Sequence, residues 1–563
     1  MSSPAAKGSA SARLVYPAVA LVGALTFIAI FGWGHLVGDN AYWHAPTPDE
    51  RMYLIGYRYL LHEPWHWPLL TSHAIDVPYT ASLAYWDCIP IWGLINKLVA
   101  TVIPPWAEVS ARAYLGVWHA LGYALQACGG VAVMRALGHT RWPDAVIAAV
   151  FFLAVPAWIA RYWHDALSAQ CFELFAIALY VRTPDRARMP TRLGVAWIGL
   201  AAIAAMVTPY HPVMVLGVLV AATLRARDPR WLVGAVFSVA ATTWLAGYVA
   251  RGGVRPQWGF EYESANALSW LVPTNGGILG DALWLANVRA TDWQYEGYAY
   301  LGLGALALLV FACAHPRDVR AAIARHRWLF AAAIAFGVLA LSNRIFVGGY
   351  QLLRYPIPHV LHWFPAQFRS PGRFVWIPMY VALIYALHVA LRRARSPRGL
   401  GLLALALALQ VWDASGDWAA VRSAMQAYAA GRVLPEQPWR ELVHAHRAMT
   451  IEPSFNCVDN DANVQHVNEV AIELAMLASE RGMPLNGTYN TRALRRCAPE
   501  AAAWTTATLE PAALYIVLPK ARALADQLRA QGARCAAFAD GVACSADAPA
   551  IDRAIAQGIL RAE

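Results

Sequence analysis

Four arginines, Arg344, Arg354, Arg369 and Arg373, fall within residues 343–373, a stretch without an Asp or Glu. Guanidinium groups hold phosphate through paired N–H donors and stay charged. In FRSPGRF, Arg369 and Arg373 flank a Pro-Gly turn that can aim both side chains at one anion, with Arg354 as a further phosphate-binding candidate. Transfer of a group to a hydroxyl also needs a base. Asp49 and Asp39 follow the first apolar segment closely and are the candidate catalytic carboxylates. Asp87, His164 in RYWHDAL, His211 in YHP and Glu296 in WQYEGYAYLGLG are candidates for positioning a substrate.

These residues need elements to hold them. The chain of 563 residues is 58% hydrophobic and 14% charged, with mean hydropathy +0.39. Soluble domains carry about 25% charged residues. The composition predicts an all-α polytopic membrane protein. A net charge of +10 does not mark a nucleic-acid binder, because the basic residues sit in short clusters between apolar runs, as at 182–192, 225–230, 317–327 and 392–398. Placing these clusters in the cytoplasm gives a zigzag of about eleven transmembrane helices. The N-terminus, with Lys7 and Arg13, is then inside, and the run from Leu14 to about Gly34 is an uncleaved first helix. On this topology 343–373 lies outside, where loops are normally poor in Arg.

The expected domains are a membrane domain, 1–411, with a long first outer loop at 38–108, and an extracytoplasmic α/β domain, 412–563. The tail predicts a helix over 467–481, a strand over 513–518, a helix over 521–530 and a hairpin around Asp540-Gly541. Four of the eight cysteines, Cys457, Cys497, Cys535 and Cys544, fall there and are disulfide candidates; Cys535 and Cys544 flank the hairpin turn. The last span, near Leu400–Val411, is short and is expected to extend backwards. No phosphate loop, dinucleotide fingerprint or nucleophile elbow is present, and no His/Cys metal spacing is evident.

The pattern resembles the GT-C superfamily of polytopic membrane glycosyltransferases, closest to a mostly uncharacterised bacterial branch. The likeness rests on Asp49, Gly56 and HEPWHWPL (62–69), then Asp87-Cys88-Ile89-Pro90, YEGYAYLGLG (295–304) and FRSPGRFVW (368–376). It covers most of residues 15–390. It departs at Met52-Tyr53, where members often carry Gln-His.

The resemblance implies an inverting glycosyltransferase of the bacterial inner membrane, with the C-terminal domain in the periplasm. A polyprenyl-phosphate sugar is the donor, a cell-envelope glycan or lipid the acceptor, and membrane lipid the surroundings. No cofactor is expected, although one branch of the superfamily uses a divalent metal. Asp49 would deprotonate the acceptor, and Arg369 and Arg373 would stabilise the leaving phosphate. Two other readings stay open: a non-catalytic scaffold presenting the outer domain, and a transporter or flippase of lipid-linked glycans.

Overall fold

Apolar runs fold as helices, and Pro or Gly marks where several of them stop. The computed structural model describes residues 4–248, 259–273, 289–427, 432–457, 464–491 and 497–562. Parts of the outer loop expected over 251–298 therefore lie outside the described residues. The chain is mostly helical. Among the described residues, four helices are long and apolar enough to cross a membrane: Leu14–Phe31, Trp106–Ala136, Pro371–Arg393 and Pro397–Gln426. A fifth span arises if Pro316–Arg325 and Arg327–Ala340, bent by 94°, are one.

Among the described residues, six further apolar helices have only 10–17 residues, so helices of spanning length do not account for the expected count of about eleven. Trp142–Leu153 stops before Pro156, Thr191–Ala205 before Pro209, and Leu303–Cys313 before Pro316. A proline disfavours helical backbone at the residue before it and lacks an N–H donor. The last long helix, Pro397–Ala427, begins three residues before Leu400 and also extends forward well past Trp412.

Two compact units divide the chain. The first comprises Met1–Gly38, Leu115–Thr242 and Pro256–Met425. Its helices close on one another through glycines. A Cβ at Gly130, Gly194 or Gly217 would lie within 2.2, 2.0 or 2.3 Å of the rings of Phe152, Trp231 and Phe336. Polar residues on the last helix satisfy helix ends that have no partner of their own. Gln410 donates to the carbonyls of Ala154 (2.6 Å) and Leu301 (2.8 Å), and Asp413 accepts from Tyr300 Oη and Leu303 N.

The second unit comprises Asp39–Tyr114, Thr243–Arg255 and Gln426–Glu563. The first outer loop thus packs with the tail, where the sequence boundary at 411 had placed it with the membrane domain. Its helix Pro48–His62 lies against the helix Val464–Ser479, and Arg51 pairs with Glu469 and, at 3.8 Å, Glu473.

A five-stranded sheet runs in the order Ala448–Glu452, Ala513–Val517, Gly541–Ser545, Arg534–Phe538, Arg561–Ala562. The first pair is parallel and the rest are antiparallel. ALYIV is buried throughout, as a central strand covered on both faces should be. The helices Arg522–Ala530 and Ala548–Ala556 pack against it.

Disulfides join Cys457 to Cys497 and Cys535 to Cys544, the latter opposite each other in the hairpin register. The first closes a loop of 40 residues. Replacing Cys457 by Ser is expected to cost about 4 kcal/mol through the freed unfolded chain, read as a lower denaturation midpoint in the purified full-length protein.

Candidate functional site

In the second unit, Asp49 is mounted on the first turn of the helix Pro48–His62. Thr47 caps that helix, Pro48 occupies its first position, and Thr47 and Glu50 bond reciprocally as a capping box. Glu50 is buried and also accepts from Tyr42 Oη, so it is used structurally. Arg51 is engaged by Glu469. Asp49 alone of the three is presented at the surface, half-buried, with Oδ1 accepting from Tyr489 Oη at 2.8 Å.

Gly56, about two turns further on, sets the helix against YWDCIP. A Cβ there would fall 2.6 Å from Cβ of Trp86 and 3.2 Å from that of Cys88. The Asp49, Gly56 and Asp87-Cys88-Ile89-Pro90 elements are therefore one packed body. Gly56→Ala is expected to destabilise by about 1–3 kcal/mol despite the better helix propensity of Ala, measured as a shift in thermal midpoint. Asp87 holds a left-handed turn (φ 47°) ahead of the helix Pro90–Val102. Asp39 is exposed, in the turn after Gly38.

In the first unit, the arginine loop forms a hairpin, Arg344–Val347 with Tyr350–Arg354, followed by a short helix, Trp363–Gln367. Its surface is apolar as well as basic: Tyr350, Leu352, Val360 and Trp363 are all exposed. The acids that the loop lacks arrive from elsewhere. Arg354 is held by both oxygens of Glu261, at 3.2 and 3.1 Å.

Arg373 is buried and grips Glu296 in a fork, with Nε to Oε2 at 3.0 Å and a terminal nitrogen to Oε1 at 2.7 Å. Arg161 completes the cluster, bonding Glu296 Oε2 at 2.8 Å and the carbonyls of Tyr295 and Glu296. Arg373 also stacks over the Tyr210 ring at 4.6 Å. Arg369 lies 3.6 Å from Glu263, which accepts from Ser370 Oγ, and its side chain is 44% exposed. Among the described residues, Arg161 and Arg373 share Glu296 while Arg369 faces Glu263, and Arg369 is the member that solvent reaches.

Burial alone would raise the Glu296 carboxyl. The Arg373 and Arg161 guanidiniums outweigh it and hold that group well below the usual carboxylate range. Burial first, then the Arg373 charge, push the His164 ring far below its ordinary value, so it is neutral. The backbone is as tight as the charges. Gly372 N donates to Glu263 O at 3.0 Å, and a Cβ on Gly372 would meet Gly297 Cα at 2.7 Å. FRSPGRFVW and YEGYAYLGLG are thus locked backbone to backbone.

His211 is fully buried between Glu173 (2.7 Å) and the carbonyl of Ala166 (2.9 Å), which makes it a packing residue of the helix Tyr210–Ala226. Asp165, next to His164, lies 2.7 Å from His119 Nε2, whose Nδ1 is 3.3 Å from His35 Nε2. Sequence reasoning missed this buried His–His–Asp line. The available signal was a His within each of two otherwise apolar stretches. It also missed Tyr489, Glu263 and Ser370, whose partners lie far away in sequence.

In a structural comparison the chain is similar to the apo crystal structure of the oligosaccharyltransferase of Archaeoglobus fulgidus, at 12% identity and a TM-score of 0.42, over 84% of this chain and 64% of that one. This chain therefore spans less than two thirds of that protein. Curated proteins give no match. The family model of the domain of unknown function DUF6311 matches residues 20–415, and that of the DUF6311 C-terminal domain matches residues 438–546. With most of its length covered, this chain belongs to the DUF6311 family.

Proposed function

We propose that this chain is an inverting glycosyltransferase that moves a sugar from a polyprenyl-phosphate carrier to an envelope glycan or lipid acceptor at the outer face of the inner membrane. The observation that carries the reading is the mounting of Asp49: a surface carboxylate on a capped, packed helix, oriented by Tyr489, beside two charged neighbours that the fold consumes. In this role Asp49 takes the proton of the acceptor hydroxyl. The hydroxyl oxygen attacks the anomeric carbon from the face opposite the carrier. The bond from that carbon to the phosphate oxygen breaks, and its electron pair leaves on the phosphate. Arg369, the exposed guanidinium of its cluster, is the group assigned to stabilise the charge that develops there.

Arg373 has a different task. Its fork is occupied by Glu296, so it positions the SPG turn and Arg369 rather than holding the phosphate itself.

Tyr489 acts through Asp49. Tyr489→Phe removes one hydrogen bond to a charged acceptor, worth about 1.5–3 kcal/mol, and is expected to slow transfer roughly 10- to 100-fold. The test is a membrane-fraction assay of sugar transfer from a synthetic polyprenyl-phosphate sugar to extracted envelope acceptor. Transfer that depends on Asp49 and Arg369 supports the reading. Equal transfer by membranes with and without the protein overturns it, in favour of a scaffold or a transporter.

A further inference from the structure

The stretch that follows the Asp49 helix has a second chemistry. Glu63 caps the C-terminal end of Pro48–His62, and the chain then turns through PWHWP back to the short strand Thr71–Ser72. This brings Glu63, His66 and His73 together, with one donor atom of each lying within 4.8 Å of the others. Glu63 Oε2 is 3.6 Å from His66 Nε2 and 3.9 Å from His73 Nδ1.

The hydrogen bonds around the three groups point their lone pairs inward. Glu63 Oε1 is taken by Ser72 Oγ and by the His73 backbone N–H at 2.8 Å, which leaves Oε2 facing the rings. Thr71 spends its hydroxyl proton on the Pro68 carbonyl at 2.8 Å, so its oxygen can only accept from His66 Nδ1, 3.4 Å away. With Nδ1 turned to Thr71, Nε2 is the His66 atom that faces the carboxylate. That atom is buried and has no hydrogen-bond partner. At 3.6 Å it is too far from Oε2 to share a proton well.

A buried imidazole nitrogen without a hydrogen-bond partner, facing a carboxylate and a second imidazole, is the environment of a cation. Four ligands at about 2.1 Å in a tetrahedron stand about 3.4 Å apart. The carboxylate–imidazole separations of 3.6 and 3.9 Å are close to that spacing, and the two imidazoles, within 4.8 Å of each other, draw together on the ion. The Ser72 and Thr71 bonds are the outer partners that orient metal ligands. Lys97 Nζ, bonded to the Glu63 carbonyl at 2.7 Å, fixes the backbone there.

We propose that Glu63, His66 and His73 bind a divalent transition metal of the zinc type, which clips the end of the Asp49 helix to the strand that follows it. The inference does not rest on the sugar-transfer reading. Two imidazoles and one carboxylate suit zinc, and the exposed His73 side leaves a ligand position for water.

The test uses the full-length protein in detergent, stripped with EDTA, equilibrated with zinc sulfate and desalted, with metal counted by mass spectrometry. About one zinc per chain is expected, with an affinity at least about 100-fold weaker in Glu63→Gln and His66→Ala. His62→Ala, whose ring already serves the Glu480 carbonyl, is expected to keep its zinc. His73→Ala alters an exposed side chain, and it decides the matter if the buried variants do not fold: its zinc must also fall. Zinc should restore the melting midpoint that EDTA lowers in the wild type but not in His73→Ala. A wild-type chain that retains no zinc, or a His73→Ala chain that binds it as tightly as the wild type, overturns the proposal and leaves a histidine–carboxylate ion pair.

Discussion

Asp49→Asn is expected to reduce sugar transfer by about 10²- to 10⁴-fold, the range that a positioned general base contributes. The fold should be untouched. Asn keeps the size of Asp and still accepts from Tyr489 Oη. The helix keeps its cap, because capping is done by Thr47 and Glu50. In cells whose own copy carries the change, the envelope glycan that depends on this protein should disappear while protein levels stay normal. An unchanged glycan profile at equal protein abundance would refute Asp49 as the base.

Arg369 supplies the matching contrast. Arg369→Ala should also impair transfer. Arg369→Lys should restore only part of it, since a lysine offers a point charge where a guanidinium offers a planar fork. Two distinct defects from residues of opposite charge separate catalysis from scaffolding. A scaffold that presents the outer domain has no use for the basicity of one half-buried carboxylate.

The helical membrane class and the small sheet-bearing tail were legible because each leaves a local mark. Apolar runs between arginine clusters give the first. In the second, the strand expected over 513–518 is Ala513–Val517, the helix expected over 521–530 is Arg522–Ala530, and Asp540-Gly541 does sit at the hairpin. Cysteines flanking a tight turn are close in space whatever the rest of the chain does, so the Cys535–Cys544 pair was readable too.

The candidate site was legible only in its residue types. Residues 343–373 looked like an unmatched cationic loop because their acids lie far upstream. Glu296 reaches Arg373 across a separation of 77 residues, and Glu261 reaches Arg354 across 93. A window of sequence cannot register such pairing. The Glu63, His66 and His73 group escaped for a related reason. Glu63 and His66 stand three apart, but the segment after His62 is not helical, and only the return of the chain at Thr71–Ser72 brings His73 to them.

Glu296→Gln should be the most destabilising single change in the first unit. Removing one partner from a buried ion pair costs about 3–5 kcal/mol, because the remaining charge stays buried without compensation. Here two buried guanidiniums, Arg161 and Arg373, would lose the same carboxylate, and the SPG turn that carries Arg369 would lose its anchor. The expected result is a drop in melting midpoint of the detergent-purified protein, together with a transfer defect that follows the loss of fold.

The sign of the pH dependence distinguishes this from a packing effect. The Glu296 carboxyl is held below its ordinary value in the folded state, so its contribution to stability is fully present above that ordinary value, about 4.3. It declines only as pH falls from there toward the folded value. The difference in midpoint between wild type and Glu296→Gln should therefore be constant from neutral pH down to about pH 5 and shrink below it. A difference that is flat into strong acid would mean that shape, not charge, holds the turn. Compensated removal gives the same discrimination without acid. If charge is the cause, replacing Arg161, Glu296 and Arg373 together by apolar residues of similar volume should recover much of the stability that Glu296→Gln loses, since no buried charge is then left unpaired. It should still leave transfer impaired, because the SPG turn that carries Arg369 would have lost its polar anchor to Glu296.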